Sequence, residues 1–227
     1  MQVVKITESA FRFLDQLKQN NDKTWFKQHK SLYLSASADM ANFADGLLEE
    51  INKHDVIETP NGSASLRRIH RDIRFSSDKT PYNTYWSGCF KRAGRERRGI
   101  YFYHFEPGNK SFLSGDFWKL SASDLKLIRD DIAFNPLPLK KILNSFAFFD
   151  YFGVLRGDKL KSSPKGFHWT HEAIDLLRYK QFVARRFFTD EQVLSPEFFN
   201  LANETLKAMR PFLDYMSEVL SQGPNGQ

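Results

Sequence analysis

Between Arg68 and Tyr82 the chain reads RIHRDIRFSSDKTPY. Arg68, Arg71, Arg74 and Lys79 surround Asp72 and Asp78, with Ile69, Ile73 and Phe75 between them. Two kinds of chemistry use such a mixture. Guanidinium groups hold phosphate or carboxylate through a planar fork of N–H donors. The same groups beside carboxylates build an ion-pair lattice that only secures the chain. On an extended segment, residues two apart share a face at roughly 7 Å, so Asp72 and Arg74 can meet. Arg71 lies on the opposite face with Ile69 and Ile73. There it needs a partner, because an unpaired charge away from water is costly, and Asp78 is available once the chain turns. The expectation combines both uses: an ion-pair scaffold presenting Arg74 and Lys79 to a small anionic ligand. Arg71, Asp72, Asp78, Tyr82 and, from far along the chain, Lys165 complete the candidate binding set.

A second cluster follows in KRAGRERRG, where Lys91, Arg92, Arg95, Arg97 and Arg98 surround Gly94 and Glu96. A cationic hairpin tip suits a phosphate backbone. Trp86, Tyr101 and Tyr103 on the flanking strands offer stacking surfaces. The plainer reading is a solvated loop that keeps the hairpin soluble. No established RNA- or DNA-binding motif accompanies it. From Arg67 to Arg98 there are ten Lys or Arg against three acids, a net +7, so the remainder of a chain of net charge +6 carries −1. The basic character is local, which points to an anionic partner more directly than a high pI does.

Other chemistry is thinner. His70 and Asp72 fall on one strand face as a base and its orienting carboxylate would, but no nucleophile elbow accompanies them. His29 reads as a satisfied histidine, and His168 with His171 has HxxH spacing without further ligands nearby. Lys165 sits in PKGF, a turn ahead of a helix cap at Thr170. P-loop, dinucleotide and HExxH motifs are absent from the sequence, so no cofactor or metal is expected and no catalytic residue is assigned. Cys89 is the single cysteine, which rules out an intrachain disulfide and a thiolate zinc site and favours a reducing compartment. MQVVKITESAF lacks a leader-like apolar run, and no stretch reaches the roughly 18 apolar residues of a membrane span. The expectation is a soluble cytoplasmic protein with no membrane partner.

The elements that position these residues follow from periodicity. Thr7 caps a helix carrying Ala10, Phe11, Leu14 and Leu17, and Asp22 caps a longer one from Phe26 to Ile51, the two forming an αα-hairpin. ETPNGSAS, 58–65, reads as a loop. Ile69, Ile73 and Phe75 alternate with Arg68, His70, Asp72 and Arg74 on an extended segment. Thr84–Phe90, Ile100–Phe105 and Ser111–Phe117 are strands of a meander, with Pro107-Gly108 in a tight turn. Ser121 or Ser123 opens a helix through Ile132, bounded by Pro136 and Pro138, with a short helix through Ile142. Phe148–Leu155 and Phe182–Phe188 read as strands. Ser195-Pro196 opens the last helix, which Pro211 should kink or divide. Phe, at 22 residues, dominates the core. The result is an α+β fold: an antiparallel meander sheet packed by an N-terminal helical hairpin and a long C-terminal helix, as one domain over 1–222 with a disordered tail at 223–227.

Several of these segments resemble domain-of-unknown-function family 2461, a set of mostly bacterial proteins. They are Asn20-Asn21-Asp22 with Trp25-Phe26, His29 and Tyr33; RDIRFSSDKTPY at Arg71–Tyr82; SPKGF at Ser163–Phe167; and LRYKQF at Leu177–Phe182. The resemblance runs from about Phe11 to Phe182. It implies a single-domain α+β protein and carries no established activity. Ser114 stands where the family usually has the first of two glycines, and Lys119-Leu120 where it has a proline. Three functional classes follow: a protein with an anion-binding cleft, open to enzymatic use; a nucleic-acid-binding module using the 91–98 loop; and a structural or protein-interaction domain.

Overall fold

The computed structural model describes residues 4–221; the tail expected at 223–227 lies outside the described residues. Thr7 accepts the N–H of Ala10 and starts α1 (Glu8–Gln19), whose buried face carries Ala10, Phe11, Phe13, Leu14 and Leu17. Asp22 accepts the N–H groups of Thr24 and Trp25 and starts α2 (Lys23–Gln28). The single longer helix expected from Asp22 is interrupted at His29, at φ −106° and ψ 21°, and resumes as α3 (Lys30–Asn52). His29 Nδ1 lies 2.8 Å from the Trp25 carbonyl, and its ring stacks on Trp25 at 4.1 Å. The hydrogen-bond ladder carries across the break, from His29 N–H to Trp25 and from Tyr33 N–H to His29.

The stretch expected as a loop contains one helical turn, α4 (Gly62–Ser65), capped by Asn61. Gly62 permits it: its N–H donates to Asp45 at 2.6 Å, and a Cβ there would overlap the Ala41 carbonyl.

Four strands, β1 (Trp86–Lys91), β2 (Ile100–Phe105), β3 (Ser111–Phe117) and β4 (Phe182–Phe188), form one sheet in that order, an antiparallel meander. On β2 the alternation is complete, with Tyr101, Tyr103 and Phe105 inward. The β2–β3 turn takes left-handed conformations at Gly108 and Asn109. Both of their N–H groups donate to the Asp190 carboxylate, and Asn109 Oδ1 accepts the N–H of Asp190.

Ser121 caps α5 (Ala122–Phe134), and α6 (Leu137–Leu143) starts from Pro136 with Pro138 in its first turn. Phe148–Leu155, read above as a strand, is instead covered largely by a helix, α7 (Phe146–Phe152). Ser145 accepts the Phe148 N–H, and Gly153 at φ 63° ends the helix, so its two ends are locally encoded. Thr170 is not the expected cap: its hydroxyl pairs with His168 Nδ1 at 2.7 Å, and α8 (Ile174–Leu177) begins after Ala173 without a side-chain cap. Thr189 and Gln192 form a reciprocal capping box on α9 (Asp190–Leu194). The last helix, α10 (Phe198–Ser221), starts beyond Ser195-Pro196, and the Ser195 hydroxyl turns back to the Gln192 carbonyl. Pro211 does not divide it. Burial of Leu206, Met209, Phe212, Leu213 and Met216 along one stripe offsets the missing backbone bond.

The chain separates into two compact units, each drawn from three stretches. Unit 1 comprises Met1–Phe90, Phe102–Leu113 and Phe187–Glu204; unit 2 comprises Lys91–Tyr101, Ser114–Arg186 and Thr205–Gln227. Phenylalanine is the commonest buried residue of unit 1, and in unit 2 it shares the interior with leucine. In unit 1, Phe13, Phe26, Tyr33 and Trp86 form one aromatic cluster, and Phe43, Phe105 and Phe198 another. In unit 2, Phe148 packs against Phe152 and Phe212, and Phe117 meets Phe212 edge-on. Among the described residues no helix is long and apolar enough to cross a membrane.

Candidate functional site

The RDIRFSSDKTPY stretch of unit 1 is a projecting loop on a short two-stranded stem. His70 bridges Tyr82, Arg71 N–H donates to Pro81, and Asn83 N–H donates to Ile69. Asn21 clamps the stem from the side, donating to the Tyr82 carbonyl and accepting the Tyr82 N–H. The Tyr82 ring is buried, stacked on Phe26 at 4.0 Å. Burial, with a smaller contribution from Asp22, pushes its hydroxyl pKa up. Tyr82 is thereby a foundation of the loop.

Beyond the stem the expected extended geometry stops. Arg74 and Phe75 form a turn, and Phe75, expected to align with buried Ile69, is 97% exposed. The charges largely satisfy one another. Arg71 donates to Asp78 at 2.5 Å and also to the carbonyl and hydroxyl of Thr80. Arg74 grips Asp72 with Nε at 2.9 Å and Nη2 at 2.6 Å. Lys79 donates to the Ile73 carbonyl at 3.0 Å, which orients it without neutralising it. Asp78 is held at a pKa of about 2, first by the Thr80 N–H and then by Arg71, and Asp72 is lowered by Arg74. This is the electrostatic signature of carboxylates already committed to their arginines.

The basic stretch, Lys91–Arg98, lies in unit 2 and is less of a free tip than its composition implies. Arg92 is buried, at 4% exposure. Its guanidinium pairs with Asp214, donates to the Ser217 hydroxyl at 3.0 Å and reaches the Arg98 carbonyl. Arg98 forms a two-pronged pair with Asp124, at 2.9 and 2.8 Å, which raises its pKa. Arg97 pairs with Glu96 at 2.7 Å. Arg95 alone of the four arginines has no hydrogen-bond or ion-pair partner among the described residues. Of the five cations expected to face nucleic acid, Arg92 is thus the buried one; Lys91, Arg95, Arg97 and Arg98 stay nearer the surface.

Two recesses open along the first turns of α5. One, of about 680 Å³, is lined by Gly94, Arg95, Arg97, Arg98, Gly99, Ser121 and Asp124. The other, of about 440 Å³, is lined by Ala122, Lys126, Arg129, Asp130, Lys165, Gly166 and Phe167. In the second, Lys126 pairs with Asp130. Arg129 is anchored by the Leu177 carbonyl at 2.8 Å and the Tyr179 carbonyl at 3.1 Å, so its charge is oriented but uncompensated. Burial draws its pKa down from the ordinary value, yet a guanidinium remains protonated at neutral pH. Lys165 rides a tight turn, closed by Phe167 N–H to the Pro164 carbonyl with Gly166 at φ 90°, and has no partner among the described residues.

The candidate set thus divides. Arg71, Asp72, Arg74, Asp78, Lys79 and Tyr82 come together in the unit 1 loop, while Lys165 joins Lys126 and Arg129 in unit 2. Sequence reasoning passed over Lys126 and Arg129. Their signal was weak: charged positions three apart on α5, matched to residues 165–167 only by the fold. His70 and Asp72 form no hydrogen bond to each other; His70 packs edge-on against Tyr82. His168 and His171 are taken up by local turns. Among the described residues no group of three or more His, Cys, Asp or Glu could hold a metal ion.

Comparison with known proteins gives one match. The model of a family described as conserved hypothetical protein (DUF2461) matches residues 9–215. No curated protein and no solved structure matches.

Proposed function

The chain belongs to the DUF2461 family of conserved hypothetical proteins, and from its geometry we propose that it is an anion-binding protein whose site is the recess between α5 and the Lys165 turn. The observation that carries this reading is the charge balance of the lining. Three cations, Lys126, Arg129 and Lys165, face a single carboxylate, Asp130, which Lys126 already occupies. Two positive charges remain for an incoming anion. A recess of about 440 Å³ falls in the range of small-molecule sites. Arg129 is pre-oriented by two carbonyls, so less freedom is lost when it binds. The lining offers neither a serine, cysteine or histidine nor an unpaired carboxylate, which favours holding a phosphate or carboxylate over transforming it. The RDIRFSSDKTPY loop, with Arg71 and Arg74 engaged by Asp78 and Asp72, is read as scaffold.

The test is thermal unfolding at low ionic strength with inorganic phosphate and pyrophosphate. Pyrophosphate should raise the Tm of the wild type by mass action. Lys165→Ala should abolish most of the rise, and Arg74→Ala should leave it intact. A rise lost in Arg74→Ala and kept in Lys165→Ala would move the site back to the unit 1 loop; no rise with either anion would end the anion reading.

A further inference from the structure

Resting on the anion reading, we infer that the two recesses along α5 form one track for single-stranded nucleic acid, with phosphates in the recesses and bases stacked on Trp118 and Trp169. All of the residues concerned belong to unit 2. The recesses adjoin: Ser121 lines one and Ala122, the next residue, lines the other. From Ser121 to Asp130 the helix advances about 13 Å, enough to face more than one phosphate of a strand.

The cations left uncompensated along this line are three. Among the described residues Arg95 has no partner, Arg129 meets only carbonyls, and Lys165 is unpaired. Arg97, Arg98 and Lys126 line the same recesses but are each matched by an acid. A single small anion uses one recess. Spare charge in both is what a polyanion requires.

The second observation is independent of charge. Trp118 is 51% exposed and Trp169 is 72% exposed. Trp118 stands three residues before Ser121 on one recess, and Trp169 two residues after Phe167 on the other. An indole in water forgoes a large burial gain, and these two lie within three residues, in sequence, of residues that line the two cationic recesses. Aromatic faces stack on any unpaired base while neighbouring cations take the backbone. A duplex hides its base faces and cannot use the indoles in this way. The carboxylates Asp124 and Asp130 among these cations disfavour an anionic bilayer.

The experiment is fluorescence anisotropy with labelled dT12 and rU12 across a salt series, beside a 12-base-pair duplex and phosphatidylserine vesicles. The single strands should bind at 50 mM salt, with log Kobs falling against log salt with a slope of about −2, as expected for three phosphate contacts on a single strand. Arg95→Ala with Lys165→Ala should bring the slope to about −0.7. Trp118→Ala and Trp169→Ala should each weaken binding by roughly five-fold or more with the slope unchanged. Both indoles are exposed, so these variants keep their fold, which an unchanged Tm verifies. Equal binding of duplex or vesicles, or tryptophan variants that bind as the wild type does, overturns the track. If single strands fail to bind while pyrophosphate still raises the Tm through Lys165, the track falls and the anion site stands. If pyrophosphate fails as well, both fall.

Discussion

The chain closes its two arginine-rich stretches in different ways. In the unit 1 loop the partners are neighbours: Arg74 holds Asp72 two positions away, and Arg71 holds Asp78 seven away. In the 91–98 stretch of unit 2 the partners are remote: Arg92 reaches Asp214 and Ser217 across 122 and 125 positions, and Arg98 reaches Asp124 across 26. Exposure differs in the same sense. The Arg74 and Asp72 side chains are mostly in water, whereas the Arg92 side chain is 1% exposed. A local pair in water shapes a turn that short-range bonds already hold. A remote, buried pair fastens distant segments, and its removal strands groups that have left water. Similar residues therefore serve different ends, and composition alone does not separate them.

The largest test of this contrast is Arg92→Ala. It should lower stability by about 3 kcal/mol in chemical denaturation, through lost hydrogen bonds and the void left in a buried site. A loss under about 1 kcal/mol would erase the distinction between the two stretches. Arg98→Ala should come next, at about 2 kcal/mol, because it deprives the buried Asp124 carboxylate of its two-pronged partner. Restoring only the charge with Arg98→Lys should recover part of that, since one ammonium cannot match both oxygens.

Smaller effects belong to the unit 1 loop. Asp78 has its folded pKa depressed from an ordinary 3.8 to about 2. Its stabilisation is therefore present above about pH 4 and is lost as pH falls from 4 toward 2. Comparing the wild type with Asp78→Asn, the stability difference should be flat above that window and close within it; a difference that persists at pH 2 would show that the hydrogen bonds matter and the charge does not. The smallest effect is expected from Arg74→Ala, whose Tm should match the wild type, as the pair it breaks is fully solvated.

Legibility in the sequence followed the range of the interactions. Thr7 and Asp22 announced helix starts because a cap acts over three residues, Ser121 and Ser123 marked a third between them, and β2 was plain from its alternation. Phe148–Leu155 was misread as strand because its aromatics outweighed the two signals, Ser145 and Gly153, that bound the helix there. His29 interrupts a helix whose apolar stripe runs straight through it, and a stripe does not register a local change of backbone. The Asp78 partner of Arg71 was within reach of reasoning, being one turn away. The Asp214 partner of Arg92 was not, since nothing local marks one acid among many. The recess at Lys165 was half visible: the turn could be read, but its placement beside Lys126 and Arg129 depends on the packing of α5.

During synthesis the chain leaves the ribosome in one direction, at roughly 5–20 residues per second, and neither unit is contiguous. Unit 1 waits for Phe187–Glu204, by which point nearly all of unit 2 except Thr205 onward has emerged. Neither unit can therefore mature before its last stretch has emerged, 187–204 for one and 205 onward for the other. A nascent chain arrested near residue 150 would hold neither in finished form, and would expose the Phe43 and Phe148 surfaces on which Phe198, Phe199 and Phe212 later pack.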